Sequence, residues 1–214
     1  MNAIILAGGK ANRMKGEDKA FLKIGNEPLI SIQLRPLKKI FKEIIIVTNL
    51  PEEYGVIKGV NPVRNTEFSD GDNIISNGVK VISDIIPHQG PLGGIYSGLI
   101  ASDSFYNFVV ACDMPYIDTG LIEYMYKKSP GYDAVVPKIN KRYEPLYSLY
   151  SKNCLKFIGQ LLDKKIFKVN KLFSRIKVKE VTKEEVRKFA LGAKIFTNIN
   201  TREDLANVYA DRPL

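Results

Sequence analysis

Histidine and cysteine are scarce in this 214-residue chain, which has one histidine, His88, and two cysteines, Cys112 and Cys154. Two cysteines make no disulfide framework, and a cytoplasmic location is the expectation that follows. The lone histidine sits in a polar loop before Gly90 and reads as a surface residue. The chain therefore offers no Ser-His-Asp or Cys-His set for nucleophilic catalysis. No apolar run approaches the roughly 20 residues of a membrane span. The first apolar stretch is short and has no basic region ahead of it, so neither a membrane nor a signal peptide is expected. Zinc-ligand spacing and internal repeats are absent. So are the two commonest nucleotide motifs, since neither Gly-x4-Gly-Lys-Ser/Thr nor Gly-x-Gly-x-x-Gly occurs.

Charge is plentiful and unbalanced, with 32 basic against 23 acidic residues and a formal net charge of +9. The basic residues are spread along the chain, with a mild concentration over residues 152–194 that reads as solvated helix face. Without an aromatic-interleaved basic motif, nucleic acid is not the expected partner. A basic surface equally draws polyanionic small molecules toward a cleft. The hydrophobic content of 45% and the length suit one α/β domain with a sizeable core.

Strand and helix patterns alternate, which predicts an α/β fold with a mostly parallel sheet covered on both faces. Strands are expected at 3–6, 43–48, 79–83, 107–112, 133–138 and 145–150, the last two joined through Asn140-Lys141. Helices are expected at 29–41, 92–101, 121–128, 153–163 and 202–209. Pro36 should kink or end the first helix, and Gly90-Pro91 should open the second. Residues 60–78, rich in Asn, Asp, Ser and Gly, break this rhythm and read as a loop inserted in a single domain, with a functional lid as the alternative.

The most informative stretch is the first two dozen residues. The apolar run Ala3-Ile4-Ile5-Leu6 feeds into Ala7-Gly8-Gly9, and a polar loop follows with Arg13-Met14 and Asp18-Lys19. An apolar run ending at glycines reads as a buried strand entering a tight turn. Glycines there let backbone N–H groups approach phosphate oxygens. Arg13 and Lys19 add positive charge where a triphosphate carries its negative charge.

Four further blocks accompany it. Asp84 follows the apolar strand Val81-Ile82-Ser83 and precedes Gly90-Pro91-Leu92-Gly93-Gly94. Alone it reads as an Asx turn or cap; beside that glycine run it reads as part of a ligand crevice. Asp113 ends the strand Val109–Cys112 before Met114-Pro115, a hard oxygen ligand of the kind Mg²⁺ prefers. Arg142-Tyr143-Glu144-Pro145-Leu146 is either a hairpin strand or part of the site. In Phe196-Thr197-Asn198-Ile199-Asn200-Thr201, Asn200 or Thr201 could cap the last helix. In extended backbone, Asn198 and Asn200 point to the same side.

The opening block resembles Leu-Ala-Gly-Gly-x-x-x-Arg-Met-Gly-x-x-Lys, the signature of nucleotidyltransferases acting on molybdenum cofactor. All five blocks are similar in order and spacing to the molybdenum cofactor guanylyltransferase family, from Ala3 to about Leu205. The resemblance implies a Rossmann-like, three-layer nucleotidyltransferase fold. It implies that Leu6, Ala7, Gly8 and Lys19 bind GTP, with Gly9 completing the guanine-type turn. Asp84 then contributes to the nucleotide site, Asp113 holds Mg²⁺ near the phosphates, and Asn198 and Asn200 lie toward the pterin. The chain departs from the pattern at Lys15-Gly16, where the glycine comes one position late, and at residues 60–78. The family's asparagine after the second strand aligns best with Val47, leaving Asn49 two residues on.

The implied reaction transfers GMP from GTP to molybdenum-molybdopterin, releasing pyrophosphate, with Arg13, Lys19 and Asp113 as the catalytic set. A cofactor-delivery or acceptor protein is a candidate partner. Three alternatives remain. One is a sibling enzyme using CTP, whose first turn tends to read Leu-Ala-Ala-Gly. Another is a sugar-phosphate nucleotidyltransferase, whose loop usually runs Gly-Thr-Arg-Leu and then Pro-Lys. The third is a non-catalytic nucleotide-binding domain.

Overall fold

A computed structural model describes residues 1–8, 13–14, 17–56, 61–62, 78–86 and 88–210. Its centre is a nine-stranded sheet. The strands are β1 (Asn2–Leu6), β2 (Ile44–Thr48), β3 (Asn61–Pro62), β4 (Val79–Ser83), β5 (Tyr106–Ala111), β6 (Ala134–Ile139), β7 (Arg142–Tyr143), β8 (Tyr147–Ser151) and β9 (Val178–Thr182). Their order is β7-β6-β8-β5-β1-β2-β4-β3, with β9 paired to β6. The β1, β2, β3, β4 and β5 pairings are parallel, as is β6 with β9. β8 runs antiparallel to β5 and β6, and β7 antiparallel to β6.

Helices cover both faces, and the strand sequences show why. On β1, Ala3 and Ile5 enter one core with Ile30, Leu34 and Leu37 of α1 (Leu29–Ile40) and Leu121 and Met125 of α3 (Thr119–Lys127). Ile4 and Leu6 enter the other, with Leu92, Ile95 and Leu99 of α2 (Gly90–Ala101) and Ile158 and Leu161 of α4 (Cys154–Asp163). A strand apolar on both sides is what a sheet covered on both faces demands. The glycines of α2 set how closely it lies on β1. A Cβ on Gly98 would come within 2.5 Å of Ile4 Cγ2, and one on Gly94 within 3.1 Å of Leu6 Cδ2.

The structure sharpens the sequence reading at four points. α1 follows the expected 29–41 as far as Ile40, so of the two effects expected of Pro36, a kink or an early end, the early end does not occur; burying Leu34 and Leu37 outweighs one lost backbone hydrogen bond. Asn140 and Lys141, at φ of 48° and 68°, join β6 to the two-residue β7, and β8 follows only after a second turn. Asn61–Pro62 of the expected loop insertion pair with β4 as an edge strand; residues 63–77 lie outside the described residues. β9 was not foreseen. It leads into α5 (Lys183–Val186), where Thr182 and Glu185 form a capping box. α6 (Arg202–Ala210) closes the described chain.

Candidate active site

Strand order places the site. From β1 the chain steps outward through β2 to β4, then returns to lay β5 on the other side of β1. Ligands of open α/β sheets bind where strand order reverses, beyond the carboxyl ends of the strands. Here that point lies between the ends of β1 and β5. Residues 7–8 leave β1 beside Cys112 and Asp113, which leave β5; the Cys112 N–H donates to the Leu6 carbonyl at 3.0 Å.

Three predicted residues meet there. Lys19 Nζ lies 3.2 Å from Asp113 Oδ2 and donates to Asn200 Oδ1 at 2.9 Å. The Lys19 side chain is 5% exposed and that of Asp113 15%. A nearly buried ammonium is tolerable only with such partners. They come from positions 94 and 181 residues away in the chain, so the cluster exists only in the fold.

Each partner is held from behind. Lys19 opens a short 3-10 turn, Lys19–Phe21, capped by Asp18, whose Oδ1 accepts from the Ala20 N–H at 3.0 Å. Tyr54 is fully buried, and its hydroxyl donates to the other Asp18 oxygen at 3.2 Å. Burial and the Asp18 carboxylate push the Tyr54 phenol far above its usual range. The Asp113 carbonyl accepts from the Ile199 N–H at 2.8 Å. Ile199 is fully buried, while Asn198 and Asn200 on either side are exposed, as the alternating reading requires. Of the two candidate caps for α6, Thr201 takes the role. Its Oγ1 accepts from the Asp204 N–H at 3.0 Å, while Asp204 Oδ2 accepts from the Asn200 and Thr201 N–H groups. The Asn200 side chain is thus left to hold Lys19.

The remaining predicted residues are placed differently. The Leu6 side chain packs into the core against α2, and the Ala7 N–H is bonded to the Val47 carbonyl at 2.8 Å. A Cβ on Gly8 would lie 3.3 Å from the Asn49 amide nitrogen, so Asn49 borders the first turn after all. Gly9 and the side chain of Arg13 lie outside the described residues. Asp84 is three strands from Asp113, about 14 Å at the usual strand spacing. Its Oδ1 accepts from Ser97 Oγ at 2.6 Å and from the Ile86 N–H at 3.3 Å. Burial raises its carboxyl above the usual range, and the Ser97 hydrogen bond offsets part of this. His88 is exposed, at φ 67°. Burial raises the Cys112 thiol well above its usual range, which removes it as a nucleophile.

Gln33, Tyr54 and Ser97 escaped the sequence reading. Only Gln33 left a signal, a polar residue among the buried positions of α1. Among the described residues, no group of three or more His, Cys, Asp or Glu is placed to hold a metal. None of the described helices is long and apolar enough to cross a membrane.

Comparison with known proteins agrees with this architecture. A family model described as the MobA-like NTP transferase domain matches residues 3–178. A protein of Peptoclostridium acidaminophilum named probable molybdenum cofactor guanylyltransferase is 36% identical over 95% of this chain and 86% of its own length. A protein of Syntrophotalea carbinolica named molybdenum cofactor guanylyltransferase is 34% identical over 95% of this chain and 88% of its own. Among solved structures, molybdopterin-guanine dinucleotide biosynthesis protein A from Archaeoglobus fulgidus superimposes with a TM-score of 0.77. It is 24% identical and covers 98% of this chain and 97% of that one. The 2-C-methyl-D-erythritol 4-phosphate cytidylyltransferase of Thermus thermophilus shares the fold at a TM-score of 0.62 and 13% identity, covering 97% and 96%.

Proposed function

The chain belongs to the MobA-like NTP transferase family, and from that premise we propose that it transfers GMP from GTP to molybdenum-molybdopterin. The products are the molybdopterin guanine dinucleotide cofactor and pyrophosphate. The observation that carries the proposal is the Lys19–Asp113–Asn200 cluster at the reversal point of the sheet. The relatives named for this reaction, 36% and 34% identical over nearly the whole chain, supply the substrates.

The attacking oxygen belongs to the terminal phosphate of molybdopterin and is already an anion at neutral pH. No strong general base is needed, which suits a site whose one described thiol is buried. The work is to bring two polyanions together and to offset charge on the α-phosphate. Lys19, carried on its capped turn, meets the phosphates from the β1 side, and Arg13 adds a second cation for the departing pyrophosphate. Gly8 and Gly9 leave room beside the nucleotide, with Asp84 on the outer, nucleotide side of the crevice. Asn198 and Asn200 stand toward the acceptor.

Nucleotidyltransferases generally require a metal ion, and we assign Mg²⁺ to Asp113. The donor fits. A carboxylate is a hard oxygen ligand, and Asp113 already faces a cation at 3.2 Å. Mg²⁺ is commonly held by one or two carboxylates together with substrate phosphates, so it needs no all-protein cage. When bound, the ion would neutralise charge on the reacting phosphate. The product is a cofactor used by another protein, so a receiving protein belongs to the proposal. So does a cytoplasmic location.

The test is pyrophosphate release from molybdopterin cofactor and Mg²⁺ with GTP or CTP in turn. GTP should turn over at least about tenfold better, because a base that leaves buried groups unpaired is strongly rejected. Equal turnover with CTP overturns the guanine assignment and leaves the transferase standing. No turnover with either overturns the acceptor.

A further inference from the structure

Gln33 is fully buried on α1 among Leu29, Ile30, Ile32, Leu34 and Leu37. An amide in that setting is costly unless its hydrogen bonds are replaced. At one end they are not, since Oε1 has no hydrogen-bond partner among the described residues. At the other end, Nε2 donates twice, to the Ala111 carbonyl at 2.8 Å and the Met114 carbonyl at 2.7 Å. The reverse orientation would set an oxygen against two carbonyl oxygens, so the geometry itself fixes which end donates.

Those two carbonyls bracket Cys112 and Asp113. The other bonds among the described residues that hold the backbone of this turn run between backbone groups. The Met114 N–H meets the Ala111 carbonyl, Cys112 meets Leu6, and Ile199 meets the Asp113 carbonyl. Among the described residues, Gln33 is the side chain that ties the turn to a helix. The same helix supports the lysine. The Leu29 N–H, at its first turn, donates to the Leu22 carbonyl at 2.8 Å, and the Lys19–Phe21 turn packs against it. One rigid element therefore bears on both members of the Lys19–Asp113 pair.

We propose that Gln33 is a positioning residue, which fixes the Asp113 carboxylate relative to Lys19 by binding the two carbonyls on either side of it to α1. The proposal rests on the assignment of Asp113 to the metal and the reaction. It adds the source of the carboxylate's placement, which the apolar packing of α1 alone does not provide.

Gln33→Met keeps the size and removes both donors. In the folded variant, kcat for GMP transfer should fall about tenfold to a hundredfold, as small misplacements of reacting groups do. With metal present, the KM for GTP should rise in step with the lost metal affinity, by about fivefold, because metal and GTP binding are linked. Mn²⁺ binding to the protein–GTP complex, read by electron paramagnetic resonance, should weaken about fivefold or more through the displaced carboxylate. GTP binding without metal should not change.

A folded variant with kcat and Mn²⁺ binding both within about twofold of wild type overturns the proposal. Equal losses of metal-free GTP binding and Mn²⁺ binding also overturn it, because they mean the whole pocket has collapsed. If Gln33→Met does not fold, Gln33→Asn, which keeps the amide but withdraws it by one carbon, takes the same measurements. Failure of both to fold makes Gln33 a stability residue and overturns its positioning role. A wild-type GTP complex that binds no Mn²⁺ overturns it too. A wild type that binds Mn²⁺ and GTP but transfers no GMP overturns the proposed function alone, and the binding measurements still judge Gln33.

Discussion

Asp113 and Asp84 each follow a parallel strand of one sheet, at the same edge, yet the fold uses them in opposite ways. At Asp113 the backbone is tied down by Gln33 and Ile199, and the carboxylate faces the Lys19 ammonium. At Asp84 the carboxylate itself does the tying. It accepts from Ser97 on α2 and from the Ile86 N–H, so the side chain anchors the turn that leads to the helix. A strand-end aspartate is therefore not a ligand by position alone. What distinguishes the two is whether the backbone or the carboxylate carries the structural load.

The sharpest way to break this comparison is Asp113→Asn. The amide keeps the shape, and the backbone bonds at Asp113 remain, so the protein should fold. It loses the charge that faces Lys19 and would hold Mg²⁺, and GMP transfer should fall by about a thousandfold or more, as when a principal charge-stabilising group is removed. The measurement is Mg²⁺-dependent pyrophosphate release by the folded variant. A rate within about tenfold of wild type, only ~1.4 kcal/mol in barrier, would make Asp113 a turn residue like Asp84.

Lys19→Ala should have the next largest effect and a different signature. It removes a phosphate contact made in the ground state and strengthened in the transition state, so KM for GTP should rise and kcat should fall, each by about tenfold. An unchanged KM would mean that Lys19 serves Asp113 rather than the nucleotide. Because the Asp113 carboxylate would then lack its buried counter-charge, the melting temperature should fall as well.

Asp84→Asn should change little. Asn offers the same oxygen to Ser97, so KM for GTP should rise no more than about threefold, with kcat unchanged, as for a lost peripheral binding contact. Its pH dependence is the sharper test. Burial raises the Asp84 carboxyl in the folded state, so the folded protein holds this proton more tightly than the unfolded chain. Stability from this group is full below the ordinary aspartate range near 4 and is lost as pH rises through the folded value. Wild type should therefore lose melting temperature relative to Asp84→Asn as pH is raised from about 4 toward 7. The opposite slope would mean that Asp84 acts as a paired carboxylate.

The same contrast shows which parts of the molecule are legible in the sequence. β1 and β5 are legible because, past Asn2 and Asn107 near their starts, each strand is apolar at every position and stops within two residues of Gly8 or Asp113. β9 is not, because Lys179, Glu180 and Thr182 interrupt its alternation at the margin of the sheet. Lys19 and Asp113 were readable as chemistry from the residue types and the family pattern. Their contact was not, since 94 residues separate them. The Gly93–Gly94 run read as part of a ligand site, yet Gly94 and Gly98 let α2 lie close on β1. Gln33 was legible only as an anomaly, a polar residue on an apolar helix face, with nothing in the sequence to say what it bonds.

The smallest effect should come from the segment between β3 and β4. Its described ends set the terms. β3 is parallel to β4, with Pro62 opposite Val81, while the chain re-enters β4 after Gly78. The connection must therefore travel back along the sheet by about three residues and across by one strand, about 11 Å at ordinary strand dimensions. Direct fusion of Pro62 to Gly78 cannot span that distance and would strip β3 from the edge. A Gly/Ser linker of about eight residues in place of residues 63–77 can cross a face of the sheet with slack. The setting of Gly78 should survive. Its carbonyl accepts from the Ile44 N–H at 2.7 Å, its φ is 71°, and a Cβ there would stand 2.6 Å from the Lys42 carbonyl oxygen, so the position needs glycine. Because loop length changes closure entropy only slowly, the melting temperature should move by no more than a few degrees. GMP transfer should stay within about twofold, since the Lys19–Asp113 pair lies on the other side of β1 and β2 from this edge. A folded protein with abolished turnover would show that residues 63–77 belong to the site. Unfolding would show that they complete the sheet.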